Sequence, residues 1–329
     1  MPVLITGGSG FVGLNIAIAL LNKGNDVVLY GPQRPPPAAE RYLQTLPGSL
    51  AIEIGDVRDG EQVKRIIRDH RVDRLVHGAA ITAGAEREVS QARLIADVNL
   101  GGTIEVLEAA LACGVTRVVQ LGTGSVFGSV DPSIDLIDEA TPPIPVSMYG
   151  ITKYAAERTA LRYREMRGLN VVVGRLGVVF GRWEYDTGVR DTLSLPLQLF
   201  KLAEAGTTAR FRRGLPDDWV YATDVADAVV ALLDSGTLRH GLYQIAGGSR
   251  WSLPDWCDRL AQAFPGFAYE IVTGDAPVNI GGNAPAGRPP FSVSRLQQDT
   301  GFQARFRPAE AFADYTQARP DVGGLTSDS

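Results

Sequence analysis

A doubly wound parallel α/β sheet with a smaller C-terminal lobe is the fold class the sequence predicts, and three observations predict it. Short apolar runs alternate with longer helical stretches through the first half of the chain. A glycine-rich turn joins the first apolar run to the first helical stretch. Beyond residue 176 this cadence loosens, as it would in a lobe woven from separate segments.

Taken in order, residues 3–5 form a buried strand, and Gly7, Gly10 and Gly13 lead from it into an apolar helical series at 15–21. Three glycines have separate uses here. The first permits a tight turn, the second lets backbone approach a pyrophosphate, and the third lets the helix sit close to the strand. Phosphates would then meet the unpaired N–H groups and positive dipole of a helix N-terminus, so Gly7, Gly10, Phe11, Val12 and Gly13 are expected to bind a dinucleotide cofactor. Gly24 ends that helix, 26–30 is the second strand, and 31–37, rich in proline, is an exposed loop. Residues 50–54 make the third strand, ending in Gly55-Asp56-Val57, with a short helix at 61–70. The fourth strand, 74–80, runs into small residues at its carboxyl end, which leave room for a ligand. Ser90 is expected to cap a long helix to residue 112 that carries Asn99 at its middle, and 116–121 is the fifth strand.

Residues 122–128 follow that strand, then a proline-rich loop to 146 and a helix opening with Tyr149 and Lys153. Four residues apart, those two side chains share one helix face. A free tyrosine titrates near 10, too high for an efficient base, but a neighbouring ammonium and a cationic nicotinamide ring would lower it. Tyr149 is thus a candidate general acid/base, Thr123 a hydrogen-bonding partner at the reacting oxygen, and Lys153 a second cation that also reaches a ribose hydroxyl. Past the sixth strand, 171–176, come a polar loop at 182–194, helices at 195–205, 223–234 and 253–264, and strands at 242–246 and 268–272. Residues 274–290 read as a mobile flap or long ordered loop, and 323–329 as a disordered tail. The domain reading is a dinucleotide-binding domain at 1–176, to which 216–248 returns, and a substrate-binding lobe from 177–215 and 249–322.

Composition excludes several classes. The chain has 329 residues, 45% of them hydrophobic, enough for a sizeable core. A net charge of -5, with no block of basic residues, argues against nucleic-acid or anionic-membrane partners and for a small-molecule substrate. Two cysteines, Cys113 and Cys257, give no disulfide framework. Three scattered histidines, His70, His77 and His240, lack metal-ligand spacing, so no metal is expected. With Met1 running directly into a strand and no apolar run near the roughly 20 residues of a membrane span, the expected location is cytoplasmic.

The motifs together resemble the extended short-chain dehydrogenases/reductases, in their epimerase/dehydratase-like branch. They are Thr6 to Gly13, Asp56-Val57, His77-Gly78-Ala79-Ala80, Asn99, Thr123, Tyr149-x-x-x-Lys153, Arg175 with Phe180-Gly181, and the run 218–226. The resemblance covers nearly the whole chain and implies a Rossmann domain. It implies that Asp56 and Val57 border the adenine, that Ala79 lies on the nicotinamide side, that Asn99 supports the relay around the catalytic lysine, and that Thr123, Tyr149 and Lys153 form the catalytic set. Substrate contacts are assigned to Ser125, Arg175, Trp183, Arg190 and Arg288.

The chain departs from the family pattern in three places. Gly177 stands where nucleotide-sugar members place an asparagine, and Asp217 where they carry an arginine, which argues against a diphosphate substrate. Gly124 and Ser125 replace the Asp-Glu pair of dehydratases, which argues against water loss. The function read from sequence is hydride transfer at a secondary alcohol or ketone of a small, polar, sugar-like molecule. The alternative is an epimerase that retains its cofactor. A redox-sensing binding protein would keep the glycine loop but has no need of Tyr149 and Lys153. The second strand ends in Tyr30-Gly31 without the acid that NAD enzymes use on the ribose hydroxyls, and Arg34 follows, so NADP is expected ahead of NAD. A homodimer is expected through a four-helix bundle built from helices 90–112 and 149–167.

Overall fold

The computed structural model describes residues 1–322 apart from 129, 132, 186–187, 189, 192, 213–217, 249 and 282–287. The expected tail at 323–329, Asp217 and the middle of the 274–290 segment therefore lie outside the described residues.

Seven parallel strands form the main sheet: β1 (Val3–Thr6), β2 (Val27–Gly31), β3 (Leu50–Ile54), β4 (Arg74–His77), β5 (Arg117–Thr123), β6 (Val171–Leu176) and, much later in the chain, β10 (Leu242–Ile245). Their spatial order is β10-β6-β5-β4-β1-β2-β3, so the order reverses between β1 and β4. Such a reversal opens a crevice at the carboxyl ends of the strands. The register brings those ends level: Thr6 pairs with Tyr30 and with His77, and Thr123 with Leu176. β1 and β2 are buried along their length, as strands covered on both faces must be. One face is covered by α1 (Phe11–Asn22) and α8 (Ala222–Asp234). The other carries α3 (Gly60–Asp69), α5 (Gly102–Ala112) and α6 (Met148–Arg167).

The segment between β4 and β5 differs from the reading. Ser90 caps nothing: α4 (Ala85–Ala96) starts behind the extended Gly84, bends at Gln91, and passes through a π-helical turn at Asp97–Gly101 before α5. The loop after β2 also ends sooner than expected, because Pro37 opens a short helix, α2 (Pro37–Gln44). Proline suits a first helical turn, where its missing N–H has no partner to lose.

The lobe is assembled from β7 (Val178–Phe180), α7 (Leu195–Glu204), β8 (Ala209–Arg212), β9 (Trp219–Tyr221), α9 (Leu253–Ala263), β11 (Tyr269–Val272) and α11 (Pro308–Val322), while α10 (Ser294–Thr300) packs back on β10 and α8 through the buried Leu296. Two small parallel pairs, β7 with β9 and β8 with β11, hold it in place of a large sheet. Its core is aromatic. The Phe180 ring sits within 5.2–6.1 Å of the rings of Trp219, Tyr221, Trp251, Trp256 and Tyr315, mostly edge-on, as the ring quadrupoles prefer.

Candidate active site

A cavity of about 1020 Å³ runs along the carboxyl ends of the strands and into the lobe. Its floor at β1 is set by glycine geometry. Gly7 has φ +69, and a Cβ there would lie 2.8 Å from the backbone of Gly78 and Ala79. A Cβ on Gly13 would meet the Gly7 carbonyl at 2.5 Å. The chain therefore turns tightly enough to aim the first turn of α1 at the cavity, and no side chain caps that turn. Its free N–H groups and positive dipole make a cradle for a pyrophosphate, so a dinucleotide fits these residues.

At the far side of the sheet, β5 delivers Thr123 to the cavity, 9% exposed. α6 is started by Ser147, whose hydroxyl oxygen accepts a hydrogen bond from Gly150 N–H at 3.1 Å, and its first two turns present Tyr149 and Lys153 to the same space. Thr123 and Thr82 line the same cavity as Tyr149, and the Thr123 hydroxyl donates to the Ser125 hydroxyl at 3.2 Å. Burial raises Tyr149 above its ordinary value, while the polar hydroxyls of Thr123 and Thr82 and the positive charge of Arg190 act in the opposite direction. Lys153 donates from Nζ to the Leu121 carbonyl at 2.7 Å; burial pulls it down to about 8, against the attraction of Glu157.

Behind the lysine, His77 is fixed in one neutral form. The Thr103 hydroxyl donates to the Asn99 carbonyl at 2.7 Å, so toward His77 Nε2, 2.9 Å away, it can only accept. His77 Nδ1 then accepts from the Thr6 hydroxyl at 2.7 Å. Burial, assisted by Lys153, lowers His77 to about 3.

With this geometry in view, a match to known proteins has a definite meaning. The family model described as the NAD dependent epimerase/dehydratase family matches residues 3–246, most of the chain. The chain belongs to that family. It is 27% identical over 290 residues to UDP-arabinose 4-epimerase 1 of Arabidopsis thaliana, a match spanning 79% of this chain and 67% of the relative. Its fold is similar to that of UDP-glucose 4-epimerase from Thermotoga maritima with UDP-glucose: TM-score 0.80, 19% identity, 98% of this chain and 99% of the other. It is also similar to the Thermus thermophilus UDP-glucose 4-epimerase solved with NAD, at TM-score 0.77 and 26% identity, over 97% and 98% of the two chains. Like its family, the protein is an enzyme with a nicotinamide cofactor.

Among the residues anticipated from sequence, this epimerase/dehydratase fold gathers Gly7, Gly10, Phe11, Val12, Gly13, Asp56, Val57, Ala79, Thr123, Ser125, Tyr149, Lys153, Arg190 and Arg288 around the cavity. Four others lie elsewhere, each for a physical reason. Arg34 is exposed and its guanidinium grips Glu40 at 2.5 Å and 3.1 Å. Asn99 is buried: its amide oxygen accepts from Ile81 N–H, and its amide nitrogen donates to the Ile81 carbonyl and to Thr152. Arg175 is buried in the sheet, bound at 2.7 and 2.6 Å to both oxygens of Glu157 and stacked over Phe127, so it cannot touch a substrate. Trp183 is 2% exposed and packs on Tyr42, although it sits at φ +65.

Several cavity residues had no sequence assignment. Arg58 lines the cavity and chelates Asp56, whose carboxyl it holds below the usual range. Tyr185 reaches across to donate to the Ser9 carbonyl at 2.6 Å, and Thr82 and Glu88 line the cavity together with Tyr149. The lobe end is walled by Phe211, Trp219, Trp251, Leu253 and Ile280. The run 218–226 contained Trp219, but nothing local marks a wall built from four separate segments.

Proposed function

We propose that the protein transfers a hydride at a secondary alcohol or ketone carbon of a sugar-like substrate, with Tyr149 as general acid/base. The carrying observation is that Tyr149, Thr123 and Lys153 converge from α6 and β5 on the cavity whose opposite end is the glycine cradle. Bound there, a nicotinamide ring supplies the hydride acceptor or donor. Tyr149 moves the proton at the substrate oxygen, Thr123 bonds to the same oxygen, and Lys153 holds a ribose hydroxyl and favours the phenolate. Asp56 and Val57 face the adenine, and Ala79 the nicotinamide side. Ser125, Arg190 and Arg288 complete the substrate side. Tyr149→Phe should keep cofactor affinity and lose turnover by on the order of a hundredfold or more; full activity in that variant overturns the assignment.

A second reading, a sugar or nucleotide-sugar epimerase, is favoured by the relatives named as UDP-sugar 4-epimerases. It uses the same residues on one carbon oxidised and then reduced. The sequence argument against a nucleotide sugar rests here on Gly177, which lines the cavity, since Asp217 lies outside the described residues. Gly124 and Ser125 still argue against dehydration. Reduced cofactor accumulating in solution during turnover marks a dehydrogenase; turnover with none released marks an epimerase.

NADP is proposed ahead of NAD. Gly31 offers no carboxylate to repel a 2′-phosphate, Arg58 and Gln33 line that end of the cavity, and Arg34 could exchange Glu40 for the phosphate. NADPH and NADH titrations of the protein, Arg34→Ala and Arg58→Ala decide it; tighter NADH binding, or NADPH affinity unchanged in both variants, overturns the preference. A homodimer through α4, α5 and α6 is proposed because Ile104 and Ile151 are 37% and 46% exposed on neighbouring helices, although Leu107 faces inward. A monomer in light scattering at micromolar concentration rejects it. The domain division given above and a cytoplasmic location complete the proposal.

A further inference from the structure

Past β7 the chain leaves the aromatic core of the lobe and runs back to the glycine cradle, where three of its residues make contact. The Tyr185 hydroxyl donates to the Ser9 carbonyl at 2.6 Å. The Arg182 carbonyl accepts from the Asn15 side-chain amide at 2.8 Å, and that amide also donates to the Phe11 carbonyl at 2.9 Å. The Arg190 guanidinium, paired at 2.9 Å with the buried Glu184 carboxylate, lies over the Phe11 ring with 5.3 Å to its centre. Ser9 belongs to the glycine turn, and Phe11 and Asn15 to the opening of α1.

This segment is itself held firmly to the cofactor side of the molecule. Trp183 is buried in the core that α1 and α8 share, packs on Tyr42 of α2 and sits at φ +65, a conformation that a bulky residue keeps only where its surroundings impose it. Arg182 lies over the same Tyr42 ring at 4.6 Å. Tyr185 packs against that core and lines the cavity, and burial pushes its phenol up to about 12, so it remains a hydrogen-bond donor at neutral pH.

The bond to Ser9 falls on the peptide that leads into the cradle. Gly10 N–H donates to the Gly7 carbonyl at 3.0 Å, and the carbonyl of the same Ser9–Gly10 peptide is the one Tyr185 holds. A trans peptide is planar, with N–H and C=O pointing in opposite directions, so this unit is pinned at both ends. Next along the chain are Phe11 and Val12, the first residues of α1, and a helix leaves its opening N–H groups without partners of its own. Their direction follows from the peptide before them.

We infer that Tyr185 is a positioning residue for the cofactor: from the segment after β7 it fixes the Ser9–Gly10 peptide, and with it the N–H groups that receive the pyrophosphate. Cofactor affinity then depends on a side chain far along the sequence as well as on the glycine turn. This role rests on the reading that a dinucleotide lies in the glycine cradle.

Three ligands separate the possibilities. NADH and ADP-ribose share the pyrophosphate and the adenosine, and adenosine has no pyrophosphate. In Tyr185→Phe, which keeps the ring and loses only the hydroxyl, NADH and ADP-ribose should both bind about threefold to tenfold more weakly and by the same factor, the worth of one hydrogen bond. Adenosine should bind parent and variant alike. Unchanged affinity for NADH and ADP-ribose, a loss confined to NADH, or an equal loss for adenosine overturns the inference. Should Tyr185→Phe fail to fold, Asn15→Ala, which releases the Arg182 carbonyl from the same cradle, is titrated in its place with the same outcomes. A cofactor lying elsewhere would show separately, as parent-like NADH affinity in Gly7→Ala.

Discussion

The cofactor end and the lobe end of one cavity are built by different means. At the cofactor end the geometry is backbone: level parallel strands, a glycine turn and an uncapped helix start. At the lobe end it is side chain: rings packed edge to face and walls drawn from β8, β9, α9 and the segment after β11. A backbone site tolerates change wherever no Cβ intrudes, while a side-chain site depends on volume at every position. The two ends should therefore fail differently.

The largest effect is expected in the lobe. Phe180→Ala removes the ring at the centre of five others and should cost about 3–5 kcal/mol, with cofactor affinity preserved in whatever fraction stays folded. Chemical denaturation with a cofactor titration checks this, and loss of cofactor binding in the folded fraction would show that the ends are not independent. At the other end, Gly7→Ala forces a left-handed residue and a backbone overlap, expected to cost about 1–3 kcal/mol of stability and most of the cofactor affinity. A variant that binds as tightly as the parent would show that the cradle is softer than its distances imply. Ser147→Ala, between the two, removes one helix cap for about 1 kcal/mol. It should lower turnover without touching cofactor affinity, because it loosens only the turn that carries Tyr149.

The smallest effect is a slope. His77 titrates near 6.5 when unfolded and near 3 when folded, so between those values the unfolded chain binds the extra proton. Stability from this group is complete above about pH 6.5 and falls away on acidification toward about pH 3. Urea midpoints across that window should fall less steeply in His77→Gln than in the parent, and parallel curves would mean that the buried imidazole is not what acid attacks.

The same contrast explains what could be read in the sequence. Strands at 50–54 and 171–176 fall where apolar runs placed them, and the glycine loop carries its own constraint in three residues. Side chains were harder, because their partners are distant. Arg175 looks like a substrate ligand until Glu157 is found beside it, and Trp183 until Tyr42 packs on it. Arg34 is claimed by Glu40, six residues on. Ser90 looked like a cap because a polar residue before an apolar series usually is one, yet the helix had already begun behind Gly84.

The π-helical turn at Asp97–Gly101 has a consequence for how this stretch can vary. It packs one residue more into the turn than an α-helix would, so every residue of α5 is rotated by about 100° relative to an uninterrupted helix. That offset is what sets Thr103 beneath His77 while Asn99 grips Ile81. Removing any single residue from the turn would tidy the local helix and swing both side chains away from their partners. What is constrained there is a count, and substitutions that respect the count should be borne far better than a one-residue deletion.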